Sequence, residues 1–343
     1  MSAKRLALIL GACALAILGC SPRSGAPKPL TLRVGYFPNI THAQALIGLH
    51  RGDFKEAVGS SVTIDAKAFN AGPSVIEALF AGEIDLSYIG PNPAINGYVR
   101  SRGEALRVVA GAVSGGAALV VRSDSGITSA ASLAGRRIAS PQLGNTQDVA
   151  LRSFLREHGL APVERGGTVT ILPLDNPGIL DLFRQSRIDG AWVPEPWASR
   201  LEIEGAGRLL VDERELWPNG QFTTAVVIVS TKLLSGHPDV VRAWLRAHVR
   251  ITQWELTHPS EARALVNTEI KRITGKDLPP ATLERAWSRM VPTYDPLTGT
   301  LQRSADSAFA AGFFKERPDL RGLVDVRPLN AVLAEENLPP VGD

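Results

Sequence analysis

The sequence predicts a two-lobed α/β protein, on the grounds of its length, its composition and an alternation of strand and helix patterns. With 343 residues, the chain exceeds the size at which a single hydrophobic core usually stops growing. Hydrophobic residues make up 44% and charged residues 21%, which is typical of a soluble globular protein and excludes disordered, collagen-like and multispanning membrane classes. From Thr31 onward, short β-branched runs alternate with helical patterns, and this alternation favours a largely parallel sheet.

The charge balance and the cysteines exclude several classes of function. The formal net charge of +3 falls to +1 when Lys4 and Arg5 are assigned to a removed leader, so no nucleic-acid partner is expected. Cys13 and Cys20 are the two cysteines, which excludes a disulfide, a thiol enzyme or a cysteine-based zinc site in the folded body. The six histidines form no i, i+4 pair and no His-Glu-x-x-His motif, so we predict no metal and no cofactor.

The amino terminus has the pattern of an export signal followed by a lipid anchor. Residues 1–19 combine Lys4 and Arg5 with an apolar run that is too short to span a bilayer, which predicts a signal peptide. The end of this run, Ile-Leu-Gly-Cys, resembles a bacterial lipobox, in which the cysteine, here Cys20, is acylated. Residues 20–29 are rich in Pro, Ser and Gly and are expected to form a lipidated tether. Plain secretion with an incidental cysteine remains the alternative.

The strands and helices of the body follow one another in a readable order. Strands are predicted over residues 32–37, 62–68, 84–89, 106–110, 118–122, 137–140, 169–172, 190–193 and 225–230. Capping residues and prolines predict helices over residues 41–50, 74–80 and 146–157. After residue 230 the pattern becomes mainly helical, over residues 240–256, 260–273, 281–290 and 304–314.

The candidate ligand-binding residues lie in five loops that each follow a predicted strand. Ligands of open α/β sheets bind beyond the carboxyl ends of the strands, and the helix amino termini there attract anions. The candidates are Phe37, Asn39, Thr41, His42, Asn70, Gly72, Ser74, Gly90, Asn92, Gln142, Asn145, Thr146, Glu195 and Trp197. His42 is a hydrogen-bond donor, a structural residue or a general base on this reading. Glu195 is either a partner for a cation or a cap of the next helix, and Trp197 is either pocket lining or core.

Five segments carry a resemblance to a known family. They are residues 32–45 (LRVGYFPNITHAQA), 81–98 (AGEIDLSYIGPNPAINGY), 137–151 (RIASPQLGNTQDVAL), 188–201 (IDGAWVPEPWASRL) and 220–230 (GQFTTAVVIVS). Together they resemble the nitrate, taurine and aliphatic-sulfonate branch of ABC-transporter substrate-binding proteins, and most of all its aliphatic-sulfonate members. The resemblance implies a type II periplasmic-binding-protein-like fold with two lobes, a hinge of two crossovers and a helical carboxyl-terminal tail. One lobe would comprise residues 30–113 and 224–343, and the other residues 114–223.

The resemblance also implies a function. We expect an extracytoplasmic, lipid-anchored and monomeric receptor that binds an aliphatic sulfonate between the lobes and delivers it to a membrane permease driven by a cytoplasmic ATPase. Taurine, nitrate or phosphonate are alternative ligands for the same receptor. Two other classes remain open, namely a small-molecule enzyme that uses His42 as general base and a ligand-sensing domain of a receptor.

Overall fold

The structure is a computed structural model, and it describes residues 30–342. The predicted signal peptide, Cys20 and the tether lie outside the described residues. The described residues form two separate β-sheets covered by helices. We call the six-stranded sheet and its helices the first lobe, and the five-stranded sheet and its helices the second lobe.

The sheet of the first lobe is mixed. Its strands are β1 (Leu30–Tyr36), β2 (Val62–Ala68), β3 (Leu86–Ile89), β4 (Leu106–Gly115), β10 (Thr223–Ser230) and β11 (Met290–Pro292). They lie in the order β11-β4-β10-β3-β1-β2. Strand β1 runs parallel to β2 and β3, whereas β10 runs antiparallel to β3 and β4. The carboxyl ends of the three parallel strands therefore meet at one edge of the sheet.

The sheet of the second lobe repeats this organisation on a smaller scale. Its strands are β5 (Ala117–Arg122), β6 (Arg137–Ser140), β7 (Thr170–Pro173), β8 (Gly190–Pro194) and β9 (Gly207–Asp212). They lie in the order β7-β6-β8-β5-β9, and β6 is parallel to both of its neighbours. Helices cover both faces of each sheet, which explains why the strands read as nearly continuous apolar runs.

Thirteen α-helices complete the described part of the chain. They are α1 (Ala43–Arg51), α2 (Asp53–Val58), α3 (Gly72–Phe80), α4 (Pro91–Arg100), α5 (Thr146–Glu157), α6 (Asn176–Arg184), α7 (Trp197–Ile203), α8 (Thr231–Gly236), α9 (Pro238–Thr257), α10 (Pro259–Thr274), α11 (Pro280–Ser288), α12 (Thr298–Ala310) and α13 (Arg327–Glu335). Within residues 30–342, no helix combines the length and the apolar character that crossing a membrane requires. The helix predicted over residues 304–314 begins earlier, as α12, and it stops before Gly312, whose positive φ of 80° ends the helix.

The chain crosses between the two lobes twice. The first crossing is at Gly115 and Gly116, which have φ values of 76° and 78° and separate β4 from β5. A Cβ atom at Gly115 would lie 2.6 Å from the carbonyl oxygen of Arg289, so the close approach as well as the left-handed backbone requires glycine there. The second crossing joins β9 to β10. The predicted lobe boundaries at 113/114 and 223/224 stay a prediction, and the two sheets divide the chain close to them.

Candidate ligand-binding cleft

A cavity lies between the two lobes, where strand ends and helix starts from both sheets converge. Its empty volume is about 400 Å³, part of which is open to solvent. Nine of the predicted site residues line it, namely Phe37, Asn39, Thr41, His42, Asn70, Gly72, Gly90, Asn145 and Thr146. Residues that we did not single out also line it, namely Ala71, Pro93, Pro141, Gln147, Asn176, Pro194 and Thr224. We call this space the central cavity.

The central cavity combines many hydrogen-bonding groups with the absence of formal charge. No Asp, Glu, Lys or Arg is among the described residues that line it. Five helices of nine or more residues, α1, α3, α4, α5 and α6, begin at its edge. The amino terminus of each helix carries a partial positive charge and unpaired N–H groups. Together these features fit an anion of low charge that accepts several hydrogen bonds.

His42 is held in the wall of the cavity as a neutral side chain. It is 2% exposed, and its Nδ1 accepts a hydrogen bond of 3.2 Å from the backbone N–H of Phe37. The proton of the neutral imidazole is therefore assigned to Nε2. The imidazole of His42 also stacks on the ring of Phe37, with the two ring centroids 4.3 Å apart. Burial lowers the pKa of His42 to about 3. With Nδ1 engaged and Nε2 protonated, His42 is suited to donate a hydrogen bond and unsuited to act as a general base at neutral pH.

The start of α5 brings the second lobe against the first. Asn145 caps this helix, because its Oδ1 accepts the N–H of Asp148 at 2.9 Å. Thr146 follows it, and a Cβ atom placed on Gly90 of the first lobe would lie 2.4 Å from the Thr146 hydroxyl oxygen. The Oγ1 of Thr146 and the Oδ1 of Asn176 are buried without a hydrogen-bond partner in the described part of the chain. Two unpartnered polar atoms at the wall of one cavity indicate groups that a ligand or water satisfies.

Five predicted residues do not line the central cavity. Ser74 is exposed because it lies two residues after Gly72 in α3, on the opposite side of the helix. Asn92 turns towards α12 and donates to the carbonyl oxygen of Ser304 at 3.1 Å. Gln142 is half-buried in the loop before α5 and is not one of the residues that line the cavity. The remaining two are Glu195 and Trp197.

Glu195 belongs to a buried ion-pair cluster near the first crossing between the lobes. It is fully buried, and it accepts hydrogen bonds of 3.0 Å from Arg289 and from both the N–H and the hydroxyl of Ser199. Arg289 also donates to Glu202 at 2.6 Å. Burial raises the pKa of Glu195, and the charge of Arg289 opposes this effect. Glu195 is thus committed to joining the lobes and is not free to bind a cation.

Trp197 lies beside the central cavity and not in its wall. Its Nε1 donates a hydrogen bond of 3.0 Å to Oδ1 of Asn39, which is one of the direct contacts between the lobes. The guanidinium of Arg200 stacks over the ring at 4.6 Å from its centroid. Both contacts fix the position of the indole ring.

Metal chemistry receives no support from the described residues. Within residues 30–342, no group of three or more His, Cys, Asp or Glu side chains is arranged to hold a metal ion. The buried Asp148 is already engaged, because its carboxylate accepts from the Ser140 hydroxyl, the Gly144 N–H and Arg152 at 2.9–3.1 Å.

Comparison with known proteins identifies the family. A family model described as the NMT1-like family matches residues 25–270. The chain belongs to the NMT1-like family. This match covers most of the two lobes, including every loop that lines the central cavity.

Relatives of this NMT1-like chain are binding proteins. The taurine-binding periplasmic protein of Escherichia coli K12 is 28% identical over 200 residues, which are 58% of this chain and 60% of that protein. The chain therefore aligns with about three fifths of the length of this curated relative. The predicted resemblance to taurine- and sulfonate-binding proteins is confirmed, in keeping with the prediction that the chain is not an enzyme.

Solved structures confirm the predicted two-lobe fold. The alkanesulfonate-binding protein of Xanthomonas axonopodis pv. citri, solved bound to MOPS, is 25% identical with a TM-score of 0.71, covering 88% of this chain and 99% of that one. The periplasmic nitrate-binding protein of Synechocystis PCC 6803 has a TM-score of 0.77 at 14% identity, covering 92% of this chain and 91% of that one. The second likeness concerns the fold alone.

Proposed function

We propose that the protein is the substrate-binding component of an ABC importer and that its ligand is an aliphatic sulfonate. The observation that carries this proposal is the uncharged central cavity, which is lined by hydrogen-bonding groups and surrounded by five helix amino termini. A sulfonate is a permanent monoanion with three acceptor oxygens, and such a group needs several donors but no full positive charge. Each helix terminus contributes about 0.3–1 kcal/mol, so their convergence between closed lobes matters.

The same cavity disfavours the alternative ligands. Taurine carries an ammonium group, and no carboxylate lines the described central cavity to meet it. The nearby carboxylates of Glu195 and Asp148 are buried and engaged elsewhere. A phosphonate carries more negative charge, which calls for Arg or Lys that the described lining does not contain. Nitrate is small and planar and carries no organic group, so it would use only the hydrogen-bonding part of the cleft.

The proposed role implies a location and partners. A receptor of this kind works outside the cytoplasm and delivers its ligand to a membrane permease and that permease's ATPase. The name of the Escherichia coli relative, a taurine-binding periplasmic protein, supports this location. Anchoring through an acylated Cys20, a monomeric state and lobes that divide at 113/114 and 223/224 are parts of the same proposal.

The proposal is tested by thermal unfolding of the purified full-length protein in the presence of single anions. We expect methanesulfonate and ethanesulfonate to raise the melting temperature, because a ligand that binds only the folded state stabilises it by about 2.7 kcal/mol at a hundredfold excess over Kd. The zwitterion taurine and the anions nitrate, sulfate and methylphosphonate serve as comparison ligands. Stabilisation by one of these compounds without stabilisation by the alkanesulfonates would overturn the choice of ligand, and no response to any of the compounds would overturn the receptor role.

The affinity for methanesulfonate is expected not to rise as the pH falls from 7.5 to 5. The pKa of His42 is lowered to about 3, so the ring stays neutral over this range, whereas a histidine with its usual pKa of 6.5 would become protonated and attract the anion. Titration calorimetry on the wild type and on a His42→Gln variant gives the measurement. Parallel pH profiles of the two proteins are the expected outcome. A rise in affinity with a midpoint near 6.5 that the variant lacks would contradict it.

A further inference from the structure

A second, larger cavity adjoins the central cavity and opens towards solvent. Its empty volume is about 1060 Å³, including open solvent, and we call it the outer cavity. It shares Asn39, Asn70 and Asn176 with the central cavity, so the two spaces meet at these three amide side chains. Residues of both lobes line it, which places it in the same cleft.

The inner walls of the outer cavity are apolar and partly aromatic. They are formed by Phe69, Leu180, Trp197, Ile270 and Leu278, together with three prolines. Charged side chains such as Asp181 and Lys276 are exposed and lie at the rim. An apolar interior with a charged rim is the usual make-up of a site that buries an organic group.

The aromatic wall is built rigidly. Trp197 is held by its hydrogen bond to Asn39 and by Arg200, which is itself fixed by a hydrogen bond of 2.8 Å to Glu204. A side chain that is held in place before the ligand arrives loses little conformational freedom on binding. The wall is therefore preorganised to contact a flat or cyclic group.

The cavity on the other side of Thr146 is less suitable for an organic group. It is smaller, with an empty volume of about 490 Å³, and its lining mixes apolar side chains such as Phe154 and Trp217 with the buried carboxyl group of Glu213 and the hydroxyl groups of Ser153, Ser304 and Ser307. An apolar substituent placed there would remove polar groups from water without pairing them, which is unfavourable.

We propose that the outer cavity holds the organic group of the ligand and that the preferred ligands are sulfonates bearing a ring, not the short-chain alkanesulfonates alone. This inference rests on the proposed function, because it takes the central cavity as the sulfonate site. In this arrangement the sulfonate group lies in the central cavity among the helix amino termini. Its C–S bond points past the amide side chains of Asn39, Asn70 and Asn176 into the outer cavity. The ring of the ligand then contacts Trp197 and Phe69.

Two ligands with the same head group test the inference on the full-length protein. Titration calorimetry compares methanesulfonate with benzenesulfonate, and we expect benzenesulfonate to bind at least about tenfold more tightly, because only its ring reaches the apolar wall. Tighter binding of the ring would support the inference. Equal affinity for the two, or weaker binding of benzenesulfonate, would overturn it while leaving the receptor role intact.

A pair of threonine variants on α10 locates the ring. Thr274 and Thr268 are both exposed, and each donates its hydroxyl to the carbonyl oxygen four residues earlier, but only Thr274 lines the outer cavity. Thr274→Trp is expected to fill part of the outer cavity and to weaken benzenesulfonate binding about tenfold or more, with methanesulfonate changed less than about twofold. Thr268→Trp is the matched control and should change neither.

The outcomes separate this inference from the function on which it rests. Equal weakening of both ligands by Thr274→Trp, or no effect of that variant on benzenesulfonate, would overturn the placement of the ring. If wild-type protein binds neither sulfonate but binds another anion, the proposed sulfonate ligand fails, and the inference fails with it.

Discussion

Replacing Arg289 by methionine is expected to lower the free energy of unfolding by about 3–5 kcal/mol, because it leaves a buried charge without its partner. Arg289 donates to Glu195 at 3.0 Å and to Glu202 at 2.6 Å, and Glu195 is fully buried. Methionine fills similar space but supplies no positive charge. Urea unfolding of the full-length protein followed by circular dichroism measures the loss.

The loss is expected to depend on pH in a defined direction. Burial raises the pKa of Glu195 above its usual 4.5, and Arg289 is the main group that opposes this rise, so removing Arg289 raises the pKa further. A carboxyl group whose pKa is higher in the folded state favours folding most when it is protonated. Its contribution is complete below the unfolded-state pKa and is lost as the pH rises towards the folded-state value. The variant should therefore be closest to wild type at about pH 4.5 and weakest at neutral pH and above.

The neighbouring Arg285 provides a matched control. It lies 3.7 Å from Glu202, but its side chain is 47% exposed, so Arg285→Met is expected to cost less than about 1 kcal/mol. Adding Glu195→Gln to the Arg289→Met variant removes the stranded charge and should recover part of the stability. Equal losses for the two arginine variants, or a loss that is independent of pH, would contradict this account of the cluster.

Some strands could be predicted closely from local sequence, including β2 at the edge of the first sheet. Strands β2 and β6 have the predicted bounds, since both are short β-branched or apolar runs between turn residues. Strands β9 and β11 were not predicted, and both lie at sheet edges. Gly207–Asp212 contains little β-branched sequence and Met290–Pro292 has only three residues, so pairing with β5 and β4 decides their conformation. Tertiary context outweighs local preference at such positions.

The site was predictable to the level of its loops but not of every side chain. A strand followed by a capped helix marks the right loops, and the same rule applied to Asp175 and Asn176 after β7 would have found Asn176 as well. The direction of a side chain on its helix is a finer property, and for this reason Gly72 faces the cavity while Ser74 does not. The partner of Glu195 lies 94 residues away in sequence, and no local pattern indicates such a contact.

A side chain at Gly90 is expected to weaken ligand binding while leaving the fold intact. The backbone of Gly90 has φ −67° and ψ 152°, a conformation that any L-residue adopts, so the substitution brings no backbone strain. Its Cβ atom would however lie 2.4 Å from the Thr146 hydroxyl oxygen on the opposite lobe. We expect the lobes to stay further apart to relieve this contact, so that the helix amino termini no longer converge on the anion.

The size of this effect and its cause are separable by a double-mutant cycle. Overpacking costs about 1–3 kcal/mol, so Gly90→Ala should weaken methanesulfonate binding about 5- to 150-fold. In a Thr146→Ala background the nearest atom across the cleft is the Cβ of residue 146, at 3.5 Å, which is an ordinary contact. Gly90→Ala should then cost almost nothing further, with unchanged melting temperatures of the unliganded proteins throughout. The same loss in both backgrounds would mean that Gly90 acts through some route other than closure against Thr146.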